Sequence, residues 1–186
     1  MRVGVADHLG WAVVVTASDD HRVVDRRRIE LVEPGVAWAP IHHEGKGLTD
    51  SAAAALVAEV RASALRATSS ALDMLADDLG QQVLSMSIRA LPSKFPDDIA
   101  TLRRAPYESR ADAVMYRRML AELARSRNWN LHSYNAKTVL SEAEHVLGSR
   151  TTEVLHGPRL HLGPPWTKDH RVALAATVVA SRSTSC

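Results

Sequence analysis

The sequence predicts an α/β protein on a mixed sheet, with antiparallel N-terminal strands followed by alternating helix and strand and helices on both faces. Three observations carry that expectation. Apolar residues alternate or run together in MRVGV, WAVVV and RRIELV, with turn-forming residues between them. A long Ala- and Leu-rich stretch after Asp50 repeats its apolar residues at helical spacing. Two later strand-like runs, VLSMSI and WNLHSY, each fall between helical stretches.

The elements follow in order. Residues 2–16 and 21–32 read as strands, joined at Ser18-Asp19-Asp20 into an antiparallel pair. Within the first, Asp7-His8-Leu9-Gly10 interrupts the pattern before Trp11 resumes it. An acid followed by a glycine turn in an apolar strand is either a plain hairpin or a place where chemistry sits. Glu33-Pro34-Gly35 signals a turn, and VAWAPI (36–41) reads as a short third strand with Pro40 at its edge or end. His42 to Gly47 is a polar, Gly-containing loop.

Thr49-Asp50-Ser51 supplies N-cap candidates for a helix over 51–79, stopped by Gly80, with Thr68-Ser69-Ser70 marking a candidate break. A buried strand is expected over 83–88. Residues 91–106 hold Pro92, Pro96 and Pro106 and read as irregular, with one helical turn after Asp97-Asp98. Ser109 and Asp112 resemble a capping arrangement that opens a helix to about Arg127. A strand over 129–134 follows, then a helix capped by Asn135 and ended by Gly148. Residues 149–166 read as a long connection, and Thr167 caps a last helix from Lys168 to Ser183.

The 186 residues are expected to form a single domain, with 46% hydrophobic and 24% charged residues, the profile of a folded soluble chain. The longest nearly apolar run, Val172 to Ala180, is about half of what a membrane span needs. The N-terminus lacks the apolar stretch and cleavage site of a secretory signal. Cys186 is the only cysteine, which excludes an intrachain disulfide and a cysteine-based zinc site. These features point to a cytoplasmic protein with no membrane partner.

A formal charge of +2 does not by itself argue for nucleic acid. The arginines say more: there are 19 of them against 4 lysines, and seven lie between Arg103 and Arg127. A GC-rich genome accounts for most of that excess. If DNA or RNA binds, Arg103, Arg104, Arg117 and Arg118 are the natural phosphate contacts, because guanidinium groups grip phosphate in a planar, bidentate way.

Two segments carry a family resemblance. VGVADHLGWAVVV has an acid near the end of a first strand, a glycine, and a return strand opened by an aromatic. TKDHRVALAATVVA has an acid at a helix N-terminus before small apolar residues. With the order of elements, they resemble the ribonuclease H-like superfamily, and within it the Holliday-junction-resolvase type. The resemblance implies a metal-dependent nuclease acting on structured nucleic acid, in which Asp7 and Asp169 converge to bind Mg²⁺ or Mn²⁺ over the scissile phosphate. Two such ions, about 3.5–4 Å apart, need several carboxylate oxygens.

The pattern is incomplete here. VLSMSIRAL lacks the central-strand acid of the family, and Val172 stands where the resolvase type has a second helix acid. Glu44 and His170 are candidate substitutes, as ligand or general base, with His8 a further candidate beside Asp7. The alternative function is a non-catalytic binding or assembly module of the same fold, including a homodimer. Simpler roles stand beside the chemical ones. Asp7 can hydrogen-bond the turn at Gly10, and Asp169 can favour its helix dipole, worth about 0.3–1 kcal/mol. His42-His43-Glu44 reads as a solvated loop, His156 and His161 as surface residues, and the four tryptophans as core.

Overall fold

The computed structural model describes residues 1–182. Ser183 and Cys186 lie outside the described residues, so the expectations placed on them rest on sequence. The first three strands are β1 (Arg2–Asp7), β2 (Trp11–Ala17) and β3 (Val23–Glu30), each antiparallel to the one before. The interruption at Asp7 is therefore a true chain reversal, and the first expected strand is two. His8 N–H donates to the Trp11 carbonyl at 2.9 Å and closes the turn.

Helix α1 (Asp50–Leu79) then crosses the sheet and delivers β4 (Ser85–Arg89) parallel to β1. Helix α3 (Glu108–Ser126) follows the single turn of α2 (Ile99–Leu102) and delivers β5 (Asn130–Tyr134) parallel to β4. Parallel neighbours need such crossovers, whereas the antiparallel ones need only turns. The strand order is β3-β2-β1-β4-β5, with β1 central. Helix α4 (Val139–Leu147), two short helical turns at Gly148–Arg150 and Thr152–His156, α5 (Pro158–Leu162) and α6 (Lys168–Arg182) complete the chain. Among the described residues no helix is long and apolar enough to cross a membrane.

Alternation along β1 divides the core. Val3 and Val5 join Leu72, Met86, Tyr116 and Leu120 in a layer beneath α1 and α3. Ala6 joins Val13, Val15, Leu174 and Val178 in a layer beneath α6. Gly4 explains how closely α6 approaches. A Cβ at this position would lie 1.9 Å from the Ala173 carbonyl oxygen, so the helix backbone rests directly on the strand. Ser87 Oγ adds a buried bond to the Ala176 carbonyl at 3.2 Å. The first strand and the last helix are thus side by side.

Several local expectations change in the folded chain. Helix α1 is unbroken. Its hydroxyls point away from its own backbone: Thr68 Oγ1 donates to the Leu31 carbonyl at 3.4 Å, and Ser63 Oγ accepts from Glu33 N–H at 3.0 Å. Residues 36–41 form no strand. The Glu44 carboxylate takes the N–H groups of Trp38 and Ala39, and Asp112 takes those of Ile41 and His42. Asp112 is therefore no capping residue but a buried anchor for this loop, and Tyr107 opens α3 with no side-chain cap. Asn135 Oδ1 accepts from Lys137 N–H three residues before Thr138, which stands at the N-cap of α4 without a side-chain cap bond. The expected connection 149–166 is largely helical turns, too short and too interrupted by Gly and Pro to register as periodicity.

Candidate functional site

The C-terminal end of β1 is where the sequence places chemistry, and four elements converge there. Asp7 is buried, with 2% of its side chain exposed. A carboxylate at that depth needs compensating charge. Arg117 of α3 supplies it, donating from Nε to Oδ2 at 2.7 Å. Arg89, the last residue of β4, brings its Nε to 3.8 Å from Oδ1, too far for a hydrogen bond but close enough for charge attraction. Oδ1 of Asp7 and Nε of Arg89 are both buried without a hydrogen-bond partner among the described residues. Tyr134, ending β5, donates its hydroxyl to the Val5 carbonyl at 2.7 Å. Burial, helped by the nearby Asp7 charge, pushes that phenol up to about 12, so it remains a neutral donor.

The next residue faces the other way. His8 Nε2 lies 3.2 Å from Asp169 Oδ2 at the start of α6, and its ring stacks on Trp11 at 4.0 Å and 6°. Asp169 keeps 34% of its side chain exposed. Asp7 is the last residue of β1, whose side chains alternate between faces, and His8 opens the turn that follows. Asp7 goes with Val3 and Val5 toward α3, and His8 goes with Ala6 toward α6.

His170 is buried beside Trp166, and its Nδ1 accepts from Thr167 N–H at 3.2 Å. Histidine stands three residues after Thr167, where a capping box has Glu or Gln, and the same ring nitrogen lies 2.8 Å from Thr167 Oγ1. Burial, and then the positive charge of Arg26, pulls its pKa below the usual imidazole value, which keeps the ring neutral and accepting. Glu44 is committed to its own loop, as above. Of the expected phosphate contacts, Arg117 is committed to Asp7. Arg103 is bonded to Asp50 at 2.6 Å and to the carbonyls of Gly45 and Leu48, tying the loop to α1. Arg118 pairs with Asp97 and reaches the Phe95 carbonyl at 3.2 Å. Arg104 stays exposed, near enough to Asp98 to favour its charge.

The donor set does not suit a divalent cation. Mg²⁺ demands nearly octahedral oxygen ligands at about 2.0–2.1 Å. At Asp7 one oxygen already accepts a guanidinium and a second guanidinium faces the other, so a cation here would meet positive charge. Among the described residues no group of three or more His, Cys, Asp or Glu could hold a metal ion. No spacing in the sequence links Arg89 or Arg117 to Asp7. Their joint grip on Asp7 required the packing of α3 across the end of β4.

A solved structure, T. thermophilus RuvC in complex with a Holliday junction substrate, matches with a TM-score of 0.52 at 10% sequence identity. The match covers 98% of this chain and 94% of that one. The fold is ribonuclease H-like. No family model and no curated protein matches the sequence. The match shows a shared fold, which in this chain is a mixed five-stranded sheet covered by helices, the architecture expected from the order of elements.

Proposed function

We propose that this chain is a ribonuclease H-like module that binds structured nucleic acid without cutting it. The observation that carries the reading is the Asp7–Arg117–Arg89 cluster, which puts two fixed positive groups where a metal-dependent site would need open carboxylate oxygens. A carboxylate bound in this way is neither a free metal ligand nor a free general base. The guanidinium groups retain more donors than one carboxylate can take, and Arg89 keeps 33% of its side chain exposed, so anion binding remains open to the cluster. The nucleic-acid part draws support from the arginine excess and from the matching structure, which holds a Holliday junction.

The test uses a four-way DNA junction and a linear duplex as probes. Binding is expected to be unchanged by EDTA and to weaken steeply as salt rises, because each neutralised phosphate releases counterions. No nicked product is expected at millimolar Mg²⁺ or Mn²⁺. Metal-dependent cleavage lost in Asp7→Asn would overturn this reading in favour of a nuclease working through Asp7, Asp169, Glu44 and His170. Absence of binding even at low salt would remove nucleic acid as the partner.

A further inference from the structure

We propose that the groove between the β1–β2 turn and Trp38 seats an unpaired nucleobase, with Arg28 at its rim for the adjoining phosphate. This rests on the nucleic-acid reading above and names the ligand class at a place beside the Asp7 cluster. The groove has a volume of about 430 Å³, lies open, and is lined by His8, Leu9, Gly10, Trp11, Val32 and Trp38. That suits a base and part of its sugar. A duplex does not fit, since its bases already stack on one another.

Trp38 is the unusual feature. The residue is exposed, yet it is fixed from three directions. The Trp38 N–H donates to Glu44 Oε1 at 3.3 Å, and its carbonyl accepts from the Tyr116 hydroxyl at 2.8 Å. Gly10, in the left-handed region at φ +78, sits so close that a Cβ there would lie 2.9 Å from Trp38 Cβ. Farther along, Asp112 pins Ile41 and His42. A loop held this firmly presents a preformed indole: His43 packs against the ring at 5.2 Å and 53°, and 43% of the residue stays exposed. Every base has a π-face to stack on such a ring, which makes the contact tolerant of sequence.

The other groups in the groove suit a nucleotide better than an apolar peptide. Arg28 lies over Trp11, with its guanidinium carbon 4.2 Å from the ring centroid. Its Nε donates to Glu30 at 2.9 Å, and neither of its Nη groups has a hydrogen bond among the described residues. Those donors face solvent, since 57% of the side chain is exposed. Glu30, also lining the groove, is an acceptor for the exocyclic amino group of a base.

The experiment follows tryptophan fluorescence while a short single-stranded DNA of mixed sequence, or a blunt hairpin duplex of equal length, is titrated in at low salt. The expected result is quenching by the single strand, with affinity at least about tenfold weaker in Trp38→Ala and largely kept in Trp38→Phe. Arg28→Ala is expected to reduce the salt dependence of single-strand binding. Circular dichroism of each variant verifies that the fold is intact. Single-strand affinity unchanged in a folded Trp38→Ala, while the four-way junction still binds, overturns the base seat and leaves the nucleic-acid reading standing. Failure of both the junction and the single strand to bind wild type overturns both. Loss of self-association in Trp38→Ala, with no DNA effect, assigns the groove to a second copy of the chain and also overturns the proposal.

Discussion

Asp7 and Asp169 approach the same end of the sheet and are treated in opposite ways. Asp7 has 2% of its side chain exposed and is gripped by Arg117 with Arg89 behind it. Asp169 has 34% exposed and shares one contact with His8. The contrast shows that depth decides the partner. An ion removed from water must be neutralised by fixed charge, whereas a half-exposed one is served by solvent and a single polar neighbour. It also shows how one strand end yields two environments: Asp7 closes β1 against Arg117 of α3, and His8, first in the turn, meets Asp169 of α6.

The sharpest way to break the comparison is Arg117→Ala. Removing one partner of a buried pair is expected to cost about 3–5 kcal/mol, read as a lower urea midpoint. A loss below about 1 kcal/mol would put Asp7 on the same footing as an exposed acid. Gly4→Ala tests the wall between the two sides, because its Cβ would strike the Ala173 carbonyl at the β1–α6 contact. Overpacking of that kind is expected to cost about 1–3 kcal/mol or more, again by urea unfolding.

A smaller effect should appear with pH on the Asp169 side. The folded pKa of His170 lies below its unfolded value, so the unfolded chain binds more protons in the interval between them. The contribution of His170 is therefore complete above its unfolded pKa, about 6.5, and is lost as pH falls toward the folded value. His21 and His132 are lowered by burial as well and share the sign. Urea midpoints measured across that interval should fall with acid, less steeply in His170→Gln. A slope unaffected by that substitution would remove the neutral cap. Asp169→Asn should be the mildest change, under about 1 kcal/mol, since its pair with His8 is partly in water.

The fold was legible because it depends on periodicity. Alternation in β1 and β2, the long run of α1 and the small apolar face of α6 each follow from local spacing, and their order leaves few ways to build the sheet. The misreadings have a shared cause. Thr68 reads as part of a helix break until the Leu31 carbonyl offers its hydroxyl a distant partner. VAWAPI has the composition of a strand, but Glu44 and Asp112 claim its N–H groups before a neighbouring strand can. The site was legible only as positions. Asp7, Asp169, Glu44 and His170 were all visible as chemistry-bearing residues, while their partners lie too far away in sequence for spacing to reveal.

By itself the sequence determined the order of the main strands and helices and that an acid stands near the end of the first strand, because backbone hydrogen bonding and side-chain alternation are local. Only the tertiary structure decided what that acid does. Arg117 arrives 110 residues later on a helix packed across the sheet, and the burial of Asp7 makes that distant cation its required partner. The same packing fixes Trp38 at the edge of an open groove through Tyr116, Glu44 and the bare backbone of Gly10, contacts that follow from three-dimensional proximity alone.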